Sequence, residues 1–197
     1  MRVIAGRLGG RTLVAPRGLA TRPTTDRVRE ALFSALGPLD DARVLDLYAG
    51  TGALGIEALS RGAASALFVE SARPAVAALR KNLATLALDD ATRVLVEPVA
   101  RAVPRLRTDP LGPFDLVFAD PPYDDVDEAL AALESLAPHL APGARIVLEH
   151  ASRRPPRASP ILATLRTRAY GDTALAFLAA AAPSPDPPEL GHDDRSR

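Results

Sequence analysis

The chain has 197 residues, 47% of them hydrophobic, so it is long enough to form one domain with a sizeable core. It has no cysteine, which excludes disulfides and thiolate metal sites, and its three histidines (His139, His150, His192) are too scattered for a zinc site. With no apolar run long enough to cross a membrane and no signal-type segment after Met1, we expect a soluble, cytoplasmic protein with neither a membrane nor a metal partner.

Positive charge is concentrated at the N-terminus, although the formal net charge is zero. The chain prefers arginine to lysine throughout, but this preference does not explain why arginines cluster between Met1 and Arg29 against one acid, Asp26. The cluster predicts a polyanionic partner. Its members are Arg2, Arg7, Arg11, Arg17, Arg22, Arg27 and Arg29.

The first predicted element is a basic β-hairpin over residues 1–20. Two short apolar runs, 2–5 and 11–15, flank a glycine-rich turn. Arginines on such a ribbon, Arg7 and Arg11 among them, would contact phosphates without reading the nucleic-acid sequence.

A helix is predicted next, capped by Thr24 or Thr25 and ended by Gly37. Arg27 and Arg29 fall outside its apolar stripe, so we expect both to remain available to a ligand. The stripe consists of Val28, Leu32 and Leu36.

From residue 43 onward, predicted strands alternate with helices, which is typical of a parallel, doubly wound α/β sheet. Two further β-like runs, 165–171 and 174–179, should form an antiparallel pair at the sheet edge. The main domain is expected to cover 21–182, and the proline-rich, acidic end at 183–197 to be disordered. Strands are predicted at 43–48, 66–70, 93–96, 114–119 and 144–149, and helices at 54–61, 73–86, 99–106 and 125–137.

A glycine-rich loop follows the first of these strands. Gly50, Gly52 and Gly55 fit G-x-G-x-x-G, and Glu70 ends the next strand, where an acid can bind ribose hydroxyls. The pattern leaves two classes open, an NAD-type dehydrogenase and an S-adenosylmethionine methyltransferase. Asp46 favours the methyltransferase, because an acid at the mouth of the strand opposes a pyrophosphate but suits the ammonium group of S-adenosylmethionine.

The fourth predicted strand ends in Asp120-Pro121-Pro122-Tyr123, where two prolines fix a rigid turn. The Asp120 carboxylate and the Pro121 carbonyl can each accept a hydrogen bond, and the Tyr123 ring can stack on a flat ligand. Two acceptors on the two protons of a base amino group would aim its lone pair and stabilise the positive charge that develops on nitrogen. If the strand order reverses beside the first strand, this motif and the glycine loop share one crevice.

Together these motifs resemble the RsmD-type methyltransferases, which methylate N2 of one guanine in bacterial 16S ribosomal RNA. The resemblance runs from Arg2 to about Phe177 and includes the segments 22–33 and 46–60 and the pair Asn82-Leu83. It implies a class I S-adenosylmethionine-dependent methyltransferase fold, Rossmann-like, with a seven-stranded, mostly parallel sheet and a C-terminal antiparallel hairpin. An N-terminal β-hairpin and helix would precede the sheet.

The resemblance also implies roles for individual residues. The cofactor would be held by Asp46, Ala49, Gly50, Thr51, Gly52, Glu70, Val99 and Asp120. The target base would be gripped and stacked by Asp120, Pro121 and Tyr123. RNA would be bound by Arg7, Arg11, Arg22, Arg27 and Arg29. Relatives usually have an acid or amide near the end of strand three, where this chain has Val96-Glu97-Pro98-Val99, so either Glu97 or the Val99 backbone would contact the adenine.

The expected function is methylation of guanine N2 in 16S ribosomal RNA, free or within the small subunit, by a monomeric enzyme. One alternative is DNA methylation at adenine N6 or cytosine N4, which uses the same proline motif, although no target-recognition domain is visible. Another is a non-catalytic RNA-binding or ribosome-assembly protein. The acids Asp46, Glu70 and Asp120 argue against such a binder, because it gains nothing from acids that face phosphate.

Overall fold

Seven strands form one mixed sheet in the computed structural model, which describes residues 1–16 and 26–181. The strands are β1 Arg43–Leu47, β2 Ser65–Val69, β3 Thr92–Leu95, β4 Leu116–Ala119, β5 Arg145–Ala151, β6 Leu162–Tyr170 and β7 Thr173–Ala180. The helices are α1 Asp26–Leu36, α2 Ala53–Ser60, α3 Arg73–Thr85, α4 Val99–Leu106 and α5 Val126–Leu136. The proposed RNA ligand Arg22, the predicted helix cap at Thr24 or Thr25 and the predicted disordered tail lie outside the described residues.

The strand order is β3-β2-β1-β4-β5-β7-β6, with the first five strands parallel and the last two antiparallel. This confirms the predicted α/β class, the doubly wound sheet and the C-terminal antiparallel pair. The order reverses at β1, so β1 pairs directly with β4, and Leu47 lies opposite Ala119. β1 and β4 are therefore adjacent, as a crevice shared by their two loops requires.

Two apolar cores lie on the two faces of the sheet. β1, β2 and β4 are buried along almost their whole length, as strands with helices on both sides must be. One core contains Leu32, Phe33, Ile56, Phe68, Leu79 and Phe118, and the other contains Leu45, Leu67, Val103, Leu106, Leu130 and Leu133. Within the described ranges, no helix combines the length and apolarity that crossing a bilayer requires.

The N-terminal arm, residues 1–16, folds back on itself as a short antiparallel hairpin, with one bridge in place of two full strands. Arg2 and Thr12 form a single antiparallel bridge. The N–H of Val3 donates to the Arg11 carbonyl at 2.9 Å, and Val3 and Leu13 are buried in the core beside α1.

The turn of the arm closes this ladder: the N–H of Gly10 donates to the Val3 carbonyl at 2.9 Å and the N–H of Arg11 to the Leu8 carbonyl at 3.1 Å. The next N–H groups of the first segment bind α2 instead. The carboxylate of Glu57, which is fully buried, accepts hydrogen bonds from the N–H groups of Ile4 at 2.6 Å and Ala5 at 3.0 Å. The same carboxylate pairs with Nε of Arg61 at 2.7 Å. A buried acid is tolerated here because its oxygens are satisfied by donors.

Ser60 provides a second attachment between the arm and α2. Its hydroxyl donates to the Ala5 carbonyl at 2.5 Å and accepts from the Leu8 N–H at 3.0 Å. Gly6 lies directly against it with φ +79°, and a Cβ at Gly6 would stand 1.9 Å from the Ser60 carbonyl oxygen. Only glycine allows the arm to approach α2 this closely.

The prediction that Arg29 remains available to a ligand is wrong. The Arg29 side chain is 0% exposed, and its Nη2 donates to the Arg2 carbonyl at 2.6 Å and to the Asp26 carboxylate at 2.8 Å. The buried face of α1 is wider than the predicted stripe, because Arg29 contacts the arm and Phe33 packs against Phe118 of β4, with ring centroids 5.7 Å apart. Arg29 therefore fastens the arm to α1 and is not available to a ligand, whereas Arg27 is exposed as predicted.

We predict that Gly6→Ala destabilises the protein more than Gly10→Ala. Both glycines have φ near +80°, but nothing lies within 4 Å of a Cβ at Gly10. Gly10→Ala should therefore lower the free energy of unfolding by only about 1–2 kcal/mol, the cost of holding alanine in the left-handed conformation. Gly6→Ala should lower it further, because it also disrupts the contact with α2. Thermal unfolding of the two variants, with limited proteolysis at Arg7 to detect release of the arm, measures the difference. Equal unfolding temperatures would contradict the tight contact.

Candidate active site

Two acids meet where β1 and β4 end. Asp46 is the fourth residue of β1, and Asp120 directly follows β4. The N–H of Asp120 donates to the Leu47 carbonyl at 3.5 Å, so the proline motif begins beside the end of β1. Burial raises the pKa of Asp120 well above its usual range, and the negative charges of Glu149 and Asp46 raise it further.

Glu149 is an acid of this site that the sequence interpretation missed. Ala119 of β4 pairs with Leu148 of β5, so the next residues along, Asp120 and Glu149, are neighbours at the same edge of the sheet. Glu149 is buried. Its position at the end of an apolar run was the available signal, because the carboxyl ends of parallel strands face the same crevice.

The glycine loop joins β1 to α2 and is held by Asp46. The Oδ2 of Asp46 accepts a hydrogen bond from the Gly55 N–H at 2.9 Å, in the first turn of α2. A Cβ at Gly55 would stand 2.3 Å from the Phe68 ring, so the third glycine of the fingerprint is required for packing between helix and strand. Burial raises the pKa of Asp46 to about 8; the Gly55 hydrogen bond opposes this, and the charge of Glu70 adds to it.

Glu70 connects the glycine loop to α3. Its Oε2 accepts the Gly50 N–H at 2.8 Å, and its Oε1 accepts the N–H groups of Ser71 at 2.8 Å and Ala72 at 2.7 Å. The carboxylate therefore lies at the rim of the loop, where the fingerprint predicts the ribose-binding acid.

Tyr48 turns the chain from β1 into the glycine loop and is a second feature that sequence patterns did not reveal. Its φ of +59° is unusual for a residue with a side chain. Burial raises its pKa to about 12, with further contributions from the charges of Glu128 and Asp125, so the hydroxyl stays protonated. These two acids follow the proline motif in the sequence.

The two residues predicted to contact the adenine, Glu97 and Val99, lie at or just before the start of α4. The Glu97 carboxylate accepts a hydrogen bond from Arg105 at 3.1 Å, so it is already engaged by an arginine. Val99 is the first residue of α4, where backbone N–H groups have no acceptor within the helix. Both stay candidates for contacting a bound ring.

The crevice fits a cationic cofactor. Nothing lies within 4 Å of a Cβ at Gly50, so the surface of the loop is open there. Burial, with smaller contributions from neighbouring acids, raises the pKa of both Asp46 and Asp120, so a bound positive charge would favour ionisation of both. An ammonium or sulfonium group suits this set of residues, whereas a pyrophosphate does not.

The proline motif presents its groups at the rim of this crevice. Pro121 is buried, and Tyr123 is 39% exposed within the short turn Tyr123–Asp125. The Tyr123 hydroxyl shares a hydrogen bond of 3.1 Å with Thr173, which limits rotation of the ring. Ala49, Thr51 and Gly52 lie in the glycine loop as predicted, and Arg7, Arg11 and Arg27 are exposed.

Known proteins share this architecture. The family described as conserved hypothetical protein 95 matches residues 1–179. A relative from Bacillus subtilis (strain 168), named putative rRNA methyltransferase YlbH, is 40% identical over 180 residues, which are 90% of this chain and 97% of the relative. Ribosomal RNA small subunit methyltransferase D of Escherichia coli (strain K12) is 46% identical over 124 residues, covering 62% of this chain and 60% of the relative.

Solved structures agree with the sequence relatives. The structure of the putative methyltransferase yhhF from Escherichia coli superposes with a TM-score of 0.76 at 38% identity, covering 92% of this chain and 98% of that chain. The chain therefore belongs to the conserved hypothetical protein 95 family, the family of RsmD-type methyltransferases that its motifs resemble.

Proposed function

We propose that the protein methylates the exocyclic N2 of a guanine in the RNA of the small ribosomal subunit, with S-adenosylmethionine as the methyl donor. The observation that carries the proposal is the meeting of the glycine loop and the proline motif at the ends of paired strands β1 and β4. The names of the Bacillus subtilis and Escherichia coli relatives support RNA as the substrate.

Asp46, Glu70 and the glycine loop would hold the cofactor. S-adenosylmethionine would supply an electrophilic methyl group on a positively charged sulfur, which keeps the electron pair of the broken bond. The Asp46 carboxylate offers negative charge to the cationic groups of the cofactor, and Glu70 offers acceptors to ribose hydroxyls. Either Glu97 or the backbone of Val99 would contact the adenine ring.

Asp120 and the Pro121 carbonyl would orient the amino group of the base. Each accepts one of its two protons, which makes the nitrogen more pyramidal and aims its lone pair. The amine becomes acidic only once it carries the methyl group, so a strong base is not required. A carboxylate whose pKa is raised by burial is nevertheless well placed to take the proton released at that stage. No metal and no covalent enzyme intermediate are needed.

Tyr123 would receive the target base. A guanine must leave its stack to enter the crevice, and stacking on an aromatic ring returns roughly 1–3 kcal/mol of the free energy lost. The hydrogen bond to Thr173 holds the Tyr123 ring for this contact.

The arm and α1 would bind the RNA backbone. Arg7, Arg11 and Arg27 are exposed, and we propose that they contact phosphates, which fix position but do not read sequence. Arg29 is left out because it is buried against the Arg2 carbonyl. We expect a monomeric enzyme that works in the cytoplasm, where ribosomal subunits are present.

We predict that Asp120→Ala lowers turnover by about 10²-fold or more, since one positioned partner of the transition state is lost. The measurement is incorporation of labelled methyl groups into small ribosomal subunits or their RNA, with duplex DNA as the competing substrate. Asp124→Ala is the matched control, because Asp124 is an acid of the same loop that is exposed and paired with Arg154. Near-normal turnover of Asp120→Ala, or preferred methylation of DNA, would overturn the assignment.

We predict that Asp46→Asn stabilises the cofactor-free protein at pH 8 but weakens its binding of S-adenosylhomocysteine. The folded state holds the Asp46 proton up to about pH 8, whereas the unfolded chain loses it near pH 4, so stability falls as pH rises between these values. An asparagine oxygen can still accept the Gly55 N–H and carries no charge. Thermal unfolding at pH 5 and pH 8, together with calorimetric titration, measures both effects. If the unfolding temperature changes between pH 5 and pH 8 by the same amount in Asp46→Asn as in wild type, Asp46 is not the buried group that titrates.

A further inference from the structure

Asn82 joins the N-terminal arm to the glycine loop through three hydrogen bonds. Its Oδ1 accepts the Val14 N–H at 2.7 Å, and its Nδ2 donates to the Val14 carbonyl at 3.1 Å. The same Nδ2 donates its second proton to the Thr51 carbonyl at 3.0 Å. Thr51 lies between the first two glycines of the loop.

The chemistry of these contacts requires an amide. Asn82 lies on the buried side of α3 and is 2% exposed, so an unsatisfied polar atom there would be costly. Only a side chain with one acceptor and two donors satisfies the Val14 N–H and both carbonyls at once. Asparagine is also a weak helix former, so helix propensity does not explain its place near the end of α3.

The arm is attached to the loop at its other end as well. Glu57 and Ser60 bind residues 4–8 of the arm, and both belong to α2, which begins where the glycine loop ends. Asn82 binds residue 14 of the arm and the carbonyl of Thr51. The turn that carries Arg7 and Arg11 is therefore held from two sides by elements that also define the loop.

We propose that Asn82 is a positioning residue that couples the two substrates: binding of the methyl donor at the glycine loop and binding of RNA at the arm strengthen each other through it. This inference rests on the function proposed above. A ligand that binds the loop would fix the Thr51 carbonyl. Because the side-chain amide of Asn82 binds this carbonyl, the amide and its contacts with Val14 would be fixed as well. Coupling of this kind is reciprocal, so RNA on the arm must strengthen binding at the loop by the same factor.

The test measures the dissociation constant of S-adenosylhomocysteine with and without a fragment of small-subunit ribosomal RNA, in wild type and in Asn82→Asp. Aspartate keeps the shape and the acceptor for Val14 but loses at least one donor to the two carbonyls. RNA should tighten binding by about 5-fold or more in wild type, at the low end of typical coupling, and by less than about 2-fold in the variant. Hydrogen exchange at the Val14 amide should slow on addition of S-adenosylhomocysteine in wild type only.

Leu83→Val is the matched control, because Leu83 is the next residue of α3 and is equally buried, but packs in the apolar core. It should lower the unfolding temperature and leave the coupling factor unchanged. If Asn82→Asp lowers the unfolding temperature but keeps the wild-type coupling factor, Asn82 is only structural and the inference fails. It also fails if wild type methylates RNA without any coupling. If wild type neither binds S-adenosylhomocysteine nor methylates RNA, the proposed function itself fails.

Discussion

The pairing of β1 with β4 is the constraint on which the rest of the site depends. Leu47 lies opposite Ala119, so two loops that are far apart in the sequence start side by side at one edge of the sheet. This brings Asp46 and Asp120 together in a largely apolar surrounding, and β5 adds Glu149. Burial and neighbouring acids raise the pKa of Asp46 and Asp120, so their ionisation is unfavourable without a ligand, and a bound cation would offset that cost. The acids with raised pKa therefore lie where the methyl donor is proposed to bind.

The N-terminal arm is the second organising feature, and polar contacts hold it more than pairing within the arm does. Glu57, Ser60 and Asn82 satisfy its backbone groups from α2 and α3, and Arg29 does so from α1. Among these contacts, that of Asn82 also reaches the glycine loop, through the Thr51 carbonyl. The arginines that would contact RNA therefore lie on a segment that is attached to the glycine loop through Asn82.

The fold was largely predictable from the sequence, because apolar periodicity and glycine or proline boundaries report elements that are local. Alternation of strands and helices then indicates a doubly wound parallel sheet, but the order of its strands had to come from the structure. The errors concern long-range contacts. Burial of Arg29 involves the carbonyl of Arg2, and the arm is attached to the carboxylate of Glu57, which is distant from it in the sequence. Glu149 carries no motif, and Asn82 was noted only as part of the family resemblance. The contacts of both follow from which strands and loops become neighbours.

A crystal structure with bound S-adenosylhomocysteine tests the central claim most directly, because that claim concerns where two loops lie relative to one ligand. We predict that the ligand lies over Gly50, with its amino group towards Asp46 and its sulfur facing the Asp120 carboxylate across an open space the size of a base amino group. A ligand bound on another edge of the sheet, or a sulfur separated from Asp120 by packed side chains, would contradict it.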